Sequence, residues 1–209
     1  MAENNGKEKG QGLAFIFALP EEARGVLKAG NWQRAPSARA HALYEGQVGR
    51  TSAVLAVSGV GKACAEATTL EVIQHYTPKA IVSLGFAGGL TPGVAAGDVV
   101  VAATLMSIEG TTLTGEPIPT EPSLMKASLP VLSNAGIRYK AGLCLTTSTI
   151  ASSPEDKALL GDAITALAVE MESYWIGLVC RQNNVPFLAV RAIVDTVDHT
   201  LPAYVADFT

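Results

Sequence analysis

Short apolar runs in this chain stop abruptly at a Pro, a Gly or an acid, and helix-like segments separate them. "GLAFIFALP" (12–20), "KAIVSLGFAGGL" (79–90), "GDVVVAATLMSI" (97–108) and "VPFLAVRAIVD" (185–195) are almost continuously hydrophobic. A strand with one wet face alternates apolar and polar residues, whereas a strand covered on both faces does not. These runs therefore predict a sheet buried on both sides. "EEARGVLKAG" (21–30), "VGKACAEATTLEVIQHY" (60–76), "EPSLMKASLPVLSNAG" (121–136), "SPEDKALLG" (153–161) and residues 173–183 read as helices. Pro130 is expected to break or end the third of these. Ser153 can cap the fourth, Pro154 suits its first turn, and Asp156 suits its dipole. "HALYEGQVGRTSAVLAVSG" (41–59) reads as a hairpin and "YKAGLCLTTSTIAS" (139–152) as a strand. Residues 109–122, rich in Thr, Pro and Gly, read as a loop, and the strand at 79–90 reads as opening into a Gly-rich loop at "GFAGG". Alternating strands and helices argue for an α/β fold with one mixed or parallel central sheet.

Composition narrows the function classes. The 209 residues suit one domain, read as 13–209, after a polar, disordered tail at 1–12 with no apolar secretory core. Charged residues make up only 16% and hydrophobic ones 48%, consistent with a buried sheet and a subunit interface. A net charge of −4 gives no nucleic-acid footprint. No run of apolar residues is long enough to cross a bilayer, so the expected location is the cytoplasm. Cys64, Cys144 and Cys180 lack metal-ligand spacing and read as buried thiols. His41, His75 and His199 are scattered, and His199 reads as solvent-facing. Neither a metal nor a cofactor is expected.

Acids at the ends of apolar runs call for a chemical reason. Glu170 and Glu172 lie at the edge of one run and Asp195 closes another. In parallel sheets, ligands gather beyond the carboxyl ends of the strands. Pro20-Glu21-Glu22, Gly85-Phe86-Ala87-Gly88-Gly89 and Asp195 all fall at such ends. If their strands are neighbours, they meet in one pocket.

"SGVGK" (58–62), "SLGFAGGLTPGVAAGDVVVA" (83–102), "AVEMES" (168–173) and "VRAIVDTVD" (190–198), in that order and spacing, resemble the nucleoside phosphorylase and nucleosidase superfamily. The pattern is similar to the methylthioadenosine/S-adenosylhomocysteine nucleosidases and to the hopanoid-associated phosphorylases. The resemblance implies a central mixed sheet, partly closed into a barrel and flanked by helices. It implies cleavage of the bond between a purine, adenine-type base and ribose, and a homodimer whose subunits complete each other's pocket. It implies Asp195 as the acid that protonates purine N7. Such an acid must hold its proton at neutral pH. The aliphatic neighbours Ala192, Ile193, Val194 and Val197 would favour a neutral carboxyl. Glu172 resembles the group that grips the ribose hydroxyls, with Met171 against the sugar. Glu22 resembles the base that activates water and is preferred to Glu21. Glu170 is as well suited to a supporting role.

Ser58, Gly59, Gly85, Phe86, Ala87 and Gly88 fall in the substrate-binding stretches of the pattern. Ile150 stands where the nucleosidases carry a base-stacking Phe. Phosphorylases of the trimeric type place Arg two residues before the loop glycine and Ser one after, to hold phosphate. Here those positions are Ser83 and Phe86, so water is favoured over phosphate as nucleophile, with Arg24 the one nearby basic candidate. A phosphate-dependent enzyme and a non-catalytic nucleoside-binding module remain the alternatives.

Overall fold

In the computed structural model, residues 12–201 are described, the side chains of 162 and 163 excepted. Among the described residues ten strands form one sheet and five helices flank it. The apolar run at 13–17 becomes β1 (Leu13–Phe17) and leads into α1 (Pro20–Ala29). Then follow β2 (Trp32–Ala35), β3 (Ala42–Val48), β4 (Thr51–Val57), α2 (Lys62–Tyr76) and β5 (Ala80–Gly89). The second half supplies β6 (Val99–Glu109), β7 (Thr112–Pro119), α3 (Pro122–Asn134) and β8 (Tyr139–Thr146). It ends with α4 (Pro154–Ala163), β9 (Ala168–Glu170), α5 (Ser173–Gln182) and β10 (Phe187–Asp195).

The sheet is mixed, as the alternation of elements implies. Its strand order is β10-β6-β8-β9-β5-β1-β4-β3-β2, and β10 also pairs with β5. That extra pairing closes β10, β6, β8, β9 and β5 into a ring, from which β1, β4, β3 and β2 extend. The inner strands β4, β1, β5 and β10 run parallel to their neighbours in that order, so their carboxyl ends open on the same side. Ile16, Val54, Ile81, Leu105, Ile176 and Phe187 are buried in the main core, together with Ala65 and Val72 of α2 and Tyr174 and Cys180 of α5. Cys144 and Cys180 are buried thiols, and Cys64 is half-buried.

Three local expectations change, and two strands were not anticipated. Residues 112–119 form β7 instead of a loop, pairing antiparallel with β6. As the outermost addition to the sheet, β7 tolerates Pro117 and Pro119, which cannot donate to a second neighbour. "GFAGG" stays within β5, because Gly85, Phe86, Ala87 and Gly88 pair with β10 and Gly88 and Gly89 pair with β9. Two short strands, β2 and β9, carry too few residues to show a period. Pro130 lies inside α3 without ending it. No residue of α3 is buried, so the carbonyl that loses its N–H partner can bond to water.

Pro130→Ala should therefore stabilise the protein. Proline inside a helix costs up to about 3 kcal/mol relative to alanine. A rise in the thermal midpoint with no change in circular dichroism is the expected outcome, and an unchanged or lower midpoint would show that the proline is accommodated without cost.

Candidate active site

Glu22 is placed by its own helix. With Pro20 at the first turn, Glu22 falls three residues after Leu19 and turns back over the helix start. Its Oε2 accepts the backbone N–H groups of Ala18 and Leu19, both at 2.9 Å. Its Oε1 accepts the N–H of Phe86 at 2.8 Å. Gly85 makes this approach possible, since a Cβ there would lie 2.6 Å from Glu22 Oε1. Three main-chain donors, two just after β1 and one in the second half of β5, thus hold one carboxylate.

Asp195 stands against the same strand. It pairs with Gly88 in the β10–β5 register, after an irregularity that displaces Val194 toward solvent. A Cβ at Gly88 would approach Asp195 Oδ2 at 3.2 Å. From Gly85 to Gly88 is about 10 Å along an extended strand. Glu22 and Asp195 therefore bracket a short length of β5. Asp195 is 3% exposed.

Glu172 comes from a third direction, at the start of α5. Its Oε1 accepts the N–H of Gly61 at 2.8 Å. Gly61 has φ +87°, a conformation that suits a residue without Cβ. Burial first, then the neighbouring charge of Glu170, pushes the Glu172 carboxyl up to about 8, against the pull of Gly61 and Arg191. Glu22 also contributes to that rise, so these two acids share one electrostatic environment. Glu172 is thus a buried group at the helix start, not an exposed helix residue.

Glu170 holds this arrangement together. Its Oε2 accepts the N–H groups of Glu172 at 3.0 Å and Ser173 at 2.7 Å, satisfying free donors at the start of α5. The same oxygen is paired with Arg191 at 2.9 Å, and Thr146 donates its hydroxyl to Oε1. Arg191 in turn donates to Ser83 Oγ at 2.8 Å. This cation was not singled out from the sequence, although a lone Arg within the apolar run "FLAVRAIVD" had to find a buried partner.

The remaining candidates are placed as follows. Ser58 is buried and donates its hydroxyl to the Gly59 carbonyl at 2.7 Å. Ala87 is buried, Met171 is half-buried, and Phe86 is 43% exposed, so Phe86 is not core packing. Ile150 lines a recess of about 200 Å³ with Thr147, Thr149, Gly110 and Leu160. Arg24 is exposed on α1. Two positions from Glu22, it projects from roughly the opposite side of the helix. A far larger recess, about 1340 Å³, opens beside Gly12, Trp32, Gly46 and Ser52. None of the three acids lines it, so size is no guide to the chemistry here.

The aliphatic setting expected for Asp195 is incomplete. Lys157 of α4, fully buried, places its ammonium on Asp195 Oδ2. Lys157 sits in "PEDKALL", where its charged neighbours make it look like a surface residue; only its three-residue spacing from the buried Leu160 hinted at an inward face. No cluster of His, Cys, Asp or Glu among the described residues could hold a metal ion. No described helix is long and apolar enough to cross a membrane.

Residues 13–208 match the phosphorylase superfamily, and the chain belongs to it. It is 30% identical over 195 residues to the 5'-methylthioadenosine/S-adenosylhomocysteine nucleosidase of Staphylococcus epidermidis, covering 88% of this chain and 86% of that one. Identity to the nucleosidase of the same description from Actinobacillus succinogenes is 33% over 168 residues, covering 75% and 73%. Among solved structures it is similar to the S-adenosylhomocysteine nucleosidase of Streptococcus pyogenes in complex with 5-methylthiotubericidin. The TM-score is 0.82 at 27% identity, covering 90% of this chain and 85% of that one. The futalosine hydrolase of Helicobacter pylori shares the fold, with TM-score 0.83 at 24% identity, covering 90% and 86%.

Glu172 gives the folded state a pH dependence of definite sign. Its proton affinity is raised from 4.5 to about 8 on folding, so between those values the folded state holds more proton than the unfolded one. Stability from this group therefore falls as pH rises through that window. Thermal midpoints of wild type and Glu172→Gln should converge near pH 4.5 and diverge toward pH 8, with the variant gaining relative stability. A constant difference across that range would rule out the buried, protonated Glu172.

Proposed function

We propose that this chain hydrolyses the N-glycosidic bond of an adenine nucleoside carrying a 5′ modification. The observation that carries the reading is the bracketing of β5 by Glu22 at Gly85 and Asp195 at Gly88, with Glu172 in the same electrostatic environment. The named activities of the nucleosidase relatives support it.

Cleavage needs a leaving group that does not depart as a bare purine anion. Asp195 delivers a proton to N7, so that the C1′–N9 electron pair is taken up by a neutral base. As that bond lengthens the ribose acquires cationic character, and a carboxylate beneath the ring stabilises it. Glu172 has this role, with Met171 beside it, and engages the ribose hydroxyls. Burial favours its protonated form in the free protein; once ionised it accepts from both hydroxyls of the diol and carries the charge that the sugar requires. Glu22 accepts a proton from the attacking water. Acid and base on opposite sides of the scissile bond are what displacement by water requires. Phe86 supplies an apolar wall, and Ile150 packs near the base with less stacking than an aromatic ring would give.

Water is favoured over phosphate by occupancy. Glu22 already fills the backbone donors of Ala18 and Leu19 after β1 and of Phe86 within β5, and a phosphate there would meet a carboxylate. Arg191, the buried cation beside Ser83, is committed to Glu170. A homodimer is part of the reading, supported by the exposed Phe86, Leu159 and Val194.

Incubation with 5′-methylthioadenosine, S-adenosylhomocysteine and adenosine, with and without phosphate, tests this. Free adenine should appear at the same rate in both conditions. Adenine only with phosphate would establish a phosphorylase, and saturable binding without adenine a binding module. Asp195→Asn should lower turnover by at least about a hundredfold with the fold intact; an active Asp195→Asn protein would remove that residue from the role of acid.

A further inference from the structure

Lys157 sits in an unusual place for a lysine. It is fully buried, on the first turns of α4, and its three donors are all spent. One goes to Asp195 Oδ2, one to the Thr196 carbonyl at 2.8 Å and one to the His199 carbonyl at 2.7 Å. The capping box of Ser153 and Asp156, with Ser153 Oγ accepting the Asp156 N–H at 3.1 Å, fixes the helix turn that carries it. No other basic group is paired with Asp195 among the described residues.

Such a pair poses a problem for the acid, since a carboxylate that holds an ammonium has no proton of its own to give. Burial works against that state, because both charges lose their hydration. Moving one proton from Nζ to Oδ2 removes both charges without changing the proton count. The amine keeps two N–H groups for its two carbonyls, and its lone pair then faces the new hydroxyl.

We infer that Lys157 supplies, through Asp195, the proton that the departing base takes up. The inference rests on Asp195 being the acid, as proposed above. In the step, the Nζ–H bond breaks and an Oδ2–H bond forms. The hydroxyl turns toward the purine, its O–H bond breaks and an N7–H bond forms, while the C1′–N9 electron pair passes to the ring. Lys157 is left as a neutral amine and Asp195 as a carboxylate. A proton from water restores the ammonium once the base has left, balancing the proton that Glu22 takes from the nucleophile. Lys157 is a positioning residue by this account: it touches Asp195, not the substrate.

The test is a double-mutant comparison on 5′-methylthioadenosine. Lys157→Met should lower kcat by about a hundredfold with KM nearly unchanged. In an Asp195→Asn background the same change should cost nothing further, because the relay is already cut. Lys157→Arg keeps a cation that does not surrender its proton, so it should restore the thermal midpoint and leave kcat low. The double variant, which has no unpaired buried charge, serves as the folded control should Lys157→Met not fold. A Lys157→Arg protein with wild-type kcat, or Lys157→Met slowing the Asp195→Asn protein as much as it slows the wild type, would overturn the proposal. If Asp195→Asn loses activity and Lys157→Met does not, this inference alone fails. If the wild type releases no adenine from any nucleoside, the functional reading fails with it.

Discussion

The buried pair of Glu170 and Arg191 is the joint on which the site turns. It ties β9 to β10, and through two backbone N–H groups it fixes where α5 begins. The side chains are 2% and 3% exposed, so neither charge can fall back on water. Breaking such a pair by removing one partner costs about 3–5 kcal/mol, because the survivor is left buried and uncompensated. Glu172 is positioned by being the residue at the start of that helix. Its environment, crowded by Glu170 and eased by Arg191, comes from the same joint. The guanidinium also lies within electrostatic reach of Glu22. One ion pair thus orders charges that arrive from three separate stretches of sequence.

The sheet supplies the second constraint. Four parallel strands bring the ends of β1, β4, β5 and β10 to one side, and the acids follow from what the chain does next. After β1, a Leu-Pro-Glu-Glu sequence starts a helix and folds Glu22 back. At the end of β10, an irregularity in pairing moves Val194 outward and leaves Asp195 inside. Glycines at 85 and 88 leave room on β5 for both carboxylates. The spacing of Glu22 and Asp195 along β5 is therefore a property of strand register.

Much of this was visible in the residues. Unbroken runs such as "LAFIF" announce buried strands because nothing in them suits water, and Ser153-Pro154 announces a helix start by cap chemistry. The segments misread were those whose local chemistry is overruled by a partner. Residues 112–119 look like a loop until β6 offers a ladder, and "GFAGG" looks like a turn until β10 and β9 pair with it. At the site, Glu22, Glu172 and Asp195 stood out because acids beside apolar runs need a reason. Arg191 and Lys157 did not, since a single basic residue in an apolar strand or an acidic helix shows its partner only in three dimensions. The aliphatic surroundings expected for Asp195 came from reading its sequence neighbours, and α4 brought a different neighbour from 38 positions away.

The carboxylate of Glu22 has one more meaning. A cradle of amide donors at the end of a strand is a natural seat for an inorganic anion, and here the chain has filled that seat with an anion of its own. On the function proposed above, selectivity between co-substrates would reside in steric and electrostatic exclusion by a resident group, not in the lack of basic residues nearby. Grafting a hydrogen-bonding side chain onto position 86, or a cation onto 83, would leave the tenant in place. Within this architecture, a change of nucleophile begins with eviction.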